Sequence, residues 1–158
     1  MAQTKYLGEL LVSRGLLKDW QLAAALQEQT STKEFLGHLL VRKGWITEEV
    51  LLEALGEQLG IPYVRLDQEP IDWTVTRAFS PDLLKERVCF PFRLTDQGIM
   101  IAIANPLDVL AVSELEQVAR PQHVQLVLAS SQSIRAAIQR AYQDAVRSLN
   151  RPAQGTTP

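Results

Sequence analysis

What this chain lacks narrows it first. Its 158 residues include one cysteine, Cys89, so an internal disulfide and a zinc site of two or more thiolates are both excluded. It holds no run of eighteen apolar residues, and its opening, MAQTKYLGELLVSRG, carries Glu9 and Arg14, so it reads as neither a membrane span nor a secretory signal. Positive charge is not in surplus. Sixteen Lys and Arg stand against eighteen Asp and Glu, a net of -2, whereas polymeric nucleic acid calls for a basic face to neutralise phosphates. The loops GxxxxGK[ST], GxGxxG and GxSxG are absent. The two histidines, His38 and His123, are far apart in the chain and have no identified metal partners. Cys89 lies in an apolar stretch and reads as a small buried residue. Asp67, Glu69 and Asp72 cluster near Pro70 as a solvated loop. No catalytic site, metal site or cofactor is expected. A composition of 46% hydrophobic and 22% charged residues fits one soluble, reduced, cytoplasmic domain, or two small subdomains, too short to hold a nucleotide-hydrolysing engine beside much else.

What is there is a repeat. YLGELLVSRGLLKDWQLAAALQEQ spans Tyr6 to Gln29, and FLGHLLVRKGWITEEVLLEALGEQ spans Phe35 to Gln58. The copies are offset by 29 residues, a unit of 24 and a spacer of five, and eleven of the 24 positions are identical. Two copies are too few for a solenoid. Each reads as a short helix, a turn and a longer helix, hence a helical hairpin. Gly15 and Gly44 stand where the first helix of each copy should end in left-handed geometry. The second helix of the first copy is expected from about Lys18 to Gln29, with Leu22, Ala25, Leu26 and Gln29 on one stripe. In the second copy Thr47 is the expected N-cap, followed by Glu48 and Glu49.

Leucines at this spacing, such as Leu10 with Leu39 and Leu26 with Leu55, read first as core. Gly8 and Gly37 fit that reading less well. A glycine inside a helix costs about 1 kcal/mol relative to alanine, so its use at two equivalent places implies a close approach to the backbone.

After Gly60 the pattern changes. Ile61 to Leu66 is expected as a short strand. Ser80 is the expected N-cap of a helix with Pro81 in its first turn. Val88 to Thr95 and Gly98 to Ala104 read as two hairpin strands, Asp108 to Ala119 as a helix and Val124 to Ala129 as another strand. Ser131 or Ser133 caps a last helix to about Leu149. The expected fold is α+β: a tandem-repeat helical subdomain over 1–60 and a small α+β subdomain over 61–149, with helices on one face of a three- or four-stranded sheet. The Pro, Gly and Thr of 150–158 read as a disordered tail.

Two like hairpins can form two like half-sites, and a ligand with two identical halves matches them. A cyclic dinucleotide has that form. Leucines would pack on its bases, N–H groups near Gly8 and Gly37 at helix starts would meet its phosphates, and glutamine amides would bond base or phosphate.

The repeat resembles the MshEN-type domain found at the N-terminus of many type II secretion and type IV pilus assembly ATPases. That family's pattern is RLG, two residues, two aliphatics, two residues, G, two aliphatics, four residues, L, three residues, L, two residues, Q, occurring twice with a five-residue spacer. The first copy here supplies Leu7, Gly8, Leu11, Val12, Gly15, Leu16, Leu17, Leu22, Leu26 and Gln29. The second supplies Leu36, Gly37, Leu40, Val41, Gly44, Ile46, Leu51, Leu55 and Gln58. The turn at Ala104-Asn-Pro-Leu-Asp108 resembles the family's NPxD turn and brings Asp108 into the expected ligand set. The resemblance implies a non-catalytic receptor for cyclic di-GMP, each copy holding half of the ligand. The alternative it implies is a docking module for a secretion or pilus assembly ATPase or an inner-membrane platform protein, without insertion into the membrane. Where the family opens with arginine this sequence has Tyr6 and Phe35, and Trp45 stands at an aliphatic position. An aromatic ring stacks on a purine for ~1–3 kcal/mol per base, by analogy with single-strand binders, so Tyr6 and Phe35 join the expected ligand set.

Overall fold

The structure is a computed structural model that describes residues 2–150, with side chains over 7–143. The expected tail lies outside the described residues, except that Asn150 closes the last helix. The chain divides into two compact units, Met1–Tyr63 and Val64–Pro158.

In the first unit four helices form: α1 (Ala2–Ser13), α2 (Asp19–Thr32), α3 (Leu36–Arg42) and α4 (Glu48–Leu59). α2 runs past the expected Gln29. Thr30 and Thr32 return their hydroxyls to the carbonyls of Gln27 and Glu28, and the helix stops only at Lys33, in left-handed geometry at φ 57°. Thr47 caps α4 as expected, its side chain accepting from the Val50 N–H at 3.2 Å. α2 uses a different device: the Lys18 N–H donates to Oε1 of Gln21 at 2.9 Å. The helices pair crosswise. α1 packs mainly on α4 and α2 mainly on α3, so the first helix of each copy meets the second helix of the other. Leu11, Ala25, Leu39, Leu40, Leu52 and Ala54 are interior, each full leucine burial contributing roughly 1.5–3 kcal/mol.

The strand expected at Ile61 to Leu66 does not form. Pro62 has no N–H to offer a ladder. Val64 makes a bond along the end of β3, donating to the Leu128 carbonyl at 2.8 Å, and a 3-10 turn over Leu66–Gln68 then diverts the chain. α5 (Trp73–Arg77) and α6 (Pro81–Arg87) follow, then β1 (Cys89–Thr95), β2 (Gly98–Ile103), α7 (Val109–Ala119), β3 (Val124–Leu128) and α8 (Ser131–Asn150). The sheet order is β1-β2-β3; β1 and β2 are antiparallel, β2 and β3 parallel. Pro91 falls on edge strand β1 beside a register shift, where its missing N–H costs least. Its carbonyl accepts from the buried Thr76 hydroxyl at 2.6 Å, and the Asp72 N–H bonds the Phe92 carbonyl at 2.7 Å, which fixes α5 to that edge.

Two further expectations change. Successive residues Ile101, Ala102 and Ile103 are all fully buried, so β2 is covered on both faces rather than one. The cap of α8 is Ser130, whose hydroxyl accepts from the Ser133 N–H at 3.2 Å. Ser80 holds the N-cap position of α6, with Pro81 in the first turn, but makes no side-chain cap bond. The fold is α+β, mostly helical with a small three-stranded sheet, which is the expected class. Among the described residues no helix is long and apolar enough to cross a membrane.

Candidate functional site

The close approach implied by Gly8 and Gly37 comes from inside the protein. A Cβ on Gly8 would lie 2.5 Å from Cδ1 of Leu22, and one on Gly37 would overlap Cδ1 of Leu51. In each copy the first helix thus carries a notch that seats a leucine of the second helix, and the hairpin closes more tightly than any side chain there would permit. The expectation that both glycines open a helix holds for one only. Gly37 lies in the first turn of α3, where backbone N–H groups have no acceptor within the helix. Gly8 lies beyond the first turn of α1, which begins at Ala2, so its N–H belongs to the helix ladder.

Each first helix then ends in the same way. Gly15 and Gly44 adopt φ 71° and 72°. The Gly15 N–H bonds the Val12 carbonyl at 2.9 Å and the Leu16 N–H the Leu11 carbonyl at 3.0 Å; Gly44 to Val41 at 2.9 Å and Trp45 to Leu40 at 3.1 Å repeat the pattern. This is the Schellman closure, and it explains the left-handed glycine. An ion pair recurs as well. Arg14 at the end of α1 pairs with Glu57 of α4, and Lys43 at the end of α3 pairs with Glu28 of α2 at 2.5 Å. Both partners are offset by 29 residues, so the crosswise pairing is stitched twice by equivalent charges. Arg42 adds bonds to Glu28 and Glu34 at 3.1 and 3.2 Å. The hydrogen bond from Lys43, then that from Arg42, holds the Glu28 carboxyl below its usual range.

The other expected ligand residues fall into two groups. Leu7, Leu11, Leu36, Leu40, Leu51 and Leu55 are buried and build the frame. Leu22, Leu26, Gln29 and Gln58 are half-buried, and Phe35 is 48% exposed. Gln29 donates from Nε2 to the Glu34 carbonyl at 2.9 Å, which ties the end of α2 to the spacer. Phe35 stands edge-on to His38, with centroids 5.8 Å apart. The Tyr6 side chain lies outside the described residues. Asp108 belongs to the second unit. It caps α7, its Oδ1 accepting from the Ala111 N–H at 3.0 Å, and Arg87 lies 3.8 Å from it. Cys89 is fully buried, and desolvation pushes its thiol up to about 12.

Aromatic side chains of the two copies also meet. Trp20 meets Trp45 edge to face at 5.6 Å, and Lys43 lies 5.1 Å from the Trp45 ring. They come from different copies and meet because α2 packs on α3. Only that pairing, which periodicity does not reveal, brings them together.

The chain is 29% identical over 143 residues to the type IV pilus assembly ATPase PilB of Myxococcus xanthus, covering 90% of this chain and 25% of that one. It is 29% identical over 114 residues to PilB of Thermus thermophilus, covering 71% and 13%. It therefore spans about a quarter or less of the length of these relatives. Among solved structures it is similar to MshE with cdg, at a TM-score of 0.77 and 26% identity, covering 86% of this chain and 98% of that one. It is also similar to the N-terminal domain of XpsE, at 0.68 and 26%, covering 86% and 93%. The MshEN domain model matches residues 59–148, which is mainly the α+β unit rather than the repeat. This chain belongs to the MshEN domain family.

Proposed function

We propose that the doubled helical unit is a cytoplasmic, non-catalytic receptor for cyclic di-GMP, one molecule per chain, with each copy taking one nucleotide half. The observation that carries this is the duplication of the frame itself: the glycine notch, the left-handed turn and the crosswise ion pair each occur twice, 29 residues apart. A frame built twice suits a ligand built of two equal halves. Similarity to MshE, whose structure is with cdg, supports the choice of ligand. In this reading the buried leucines hold the frame. Leu22, Leu26, Gln29, Gln58 and Phe35 have surface to offer the bases and phosphates, and the Gly37 amide offers a donor. Isothermal titration with cyclic di-GMP, against GMP as control, tests it. Saturable heat at one ligand per chain is expected, and no heat at tens of micromolar protein sinks the proposal.

A second reading draws on α7, where Val109 and Leu110 are 75% and 72% exposed. Adjacent aliphatics held out by a capped helix start suit docking to an assembly ATPase or an inner-membrane platform protein. Capture of such a partner that is abolished by Leu110→Glu and indifferent to nucleotide would favour it.

A further inference from the structure

The two halves of the doubled unit share a frame, but one of them lacks an arginine that the other has. Arg42 bonds Glu28 on α2 and Glu34 in the chain that follows, so it fills the place between the end of that helix and its continuation. By the 29-residue offset Glu28 corresponds to Glu57, Lys43 to Arg14 and Arg42 to Ser13. The first two correspondences hold in space, since Arg14 pairs with Glu57 as Lys43 pairs with Glu28. The third removes the guanidinium: the Ser13 hydroxyl donates back to the Leu10 carbonyl at 2.8 Å. Between α4 and the chain that follows it lies a groove of about 470 Å³, lined by Glu53, Gly56, Glu57 and Gly60 on one side and by Ile61 to Tyr63 on the other. We infer that this groove is a docking site for an arginine side chain of a partner protein, which takes there the part that Arg42 takes within the chain.

Three further observations carry it. The first is exposure. Glu28 accepts from two cations and its side chain is 31% exposed, whereas Glu57, with Arg14, is 54% exposed. A carboxylate in this frame thus accommodates a second cation beside the first. The second is charge. α4 carries Glu48, Glu49, Glu53 and Glu57 and no basic residue, and the negative end of its dipole lies at the groove. The third is shape. α4 stops at Leu59 with Gly60 left-handed at φ 69°, whereas α2 runs on to Thr32. Nothing lies within 4 Å of where a Cβ on Gly60 would stand, so the groove is open there. Ile61 and Pro62 suit the methylene stem of a long cationic side chain. A guanidinium is less strongly hydrated than an ammonium and meets a carboxylate through two parallel bonds, so arginine fits better than lysine. At about 3.6 residues per turn, Glu53, Gly56, Glu57 and Gly60 share the face of α4 opposite to Leu51, Leu55 and Gln58. The docking site is therefore separate from the candidate ligand residues and does not depend on the receptor reading.

The test titrates the full, nitrogen-15-labelled chain with N-acetyl-arginine amide and follows the backbone amides by NMR. Saturable shifts at Gly56, Gly60 and Tyr63 are expected within tens of millimolar probe. The uncharged isostere N-acetyl-citrulline amide should give none, and N-acetyl-lysine amide should bind more weakly. Glu53→Gln and Glu57→Gln should each weaken binding about threefold. Ser13→Arg supplies the arginine from within the chain. It should abolish binding of the probe and raise the melting temperature by about 1–3 °C, and it leaves the pair of Arg14 with Glu57 in place. Absence of shifts at these amides, or equal shifts with citrulline or lysine, overturns the inference. So does dimerisation of the wild type that Ser13→Arg abolishes, because the occupant is then a second copy of this chain.

Discussion

The two copies of the repeat are equal in their backbones and unequal in how firmly each is held. Both carry the glycine notch, but the leucines seated there differ. Leu51 is 4% exposed and hemmed in, whereas Leu22 is half-buried and has room to turn. Both second helices have a side-chain bond at their start, but in one the Thr47 hydroxyl accepts from the Val50 N–H and in the other the Gln21 amide oxygen accepts from the Lys18 N–H. Duplication has preserved the features that set main-chain geometry. The side chains around them have been free to drift, most of all where they face outward.

The largest effect should come from filling the notch. Gly37→Val forces a branched side chain against Leu51 and should cost ~2–3 kcal/mol in denaturant unfolding. Gly8→Val should cost about 1 kcal/mol less, because Leu22 can move aside; equal losses would erase the difference between the copies. Next come Gly15→Ala and Gly44→Ala. Nothing lies within 4 Å of either position, so the cost is conformational alone. It should be about 1 kcal/mol and the same in both copies. A clear inequality would show that one turn is strained by its surroundings. Thr47→Ala should cost ~1 kcal/mol, and Gln21→Ala about half as much, read from the shift in melting temperature. The smallest effect is that of acid. The folded state holds Glu28 below its ordinary value of 4.5, so its pairing with Lys43 and Arg42 stabilises fully above that value and is lost as pH falls through the lowered one. The difference in melting temperature between wild type and Glu28→Gln should shrink over that interval, and high salt should shrink it too.

Much of this was legible in the sequence. The 29-residue offset announced two hairpins, and Gly15, Gly44 and Thr47 took the turn and cap positions their chemistry favours. The class of the second unit followed from alternating strand and helix patterns. Other features were out of reach for physical reasons. Periodicity shows which face of a helix is apolar but not which helix will cover it, so the crosswise pairing was hidden, and with it the meeting of Trp20 with Trp45. Gly8 and Gly37 signalled a close approach, yet what approaches is a leucine of the same copy. The strand expected over Ile61 to Leu66 was apolar enough, but Pro62 and the turn at Leu66 leave it little ladder to join. α5 spans only Trp73–Arg77, too short for a periodic signal. At the proposed ligand site the sequence named the motif positions. It did not separate leucines that build the frame from those with surface left to offer.

The crosswise pairing also bears on how such a unit can be divided. A peptide of residues 6–29 alone would keep its notch and its turn, but each of its helices would lack its main neighbour. Two such peptides could supply each other, and one copy carried on separate chains should assemble as a dimer by exchange of arms. In the intact protein the short spacer keeps the two arms at high effective concentration, so the unit is in effect a homodimer written into a single polypeptide.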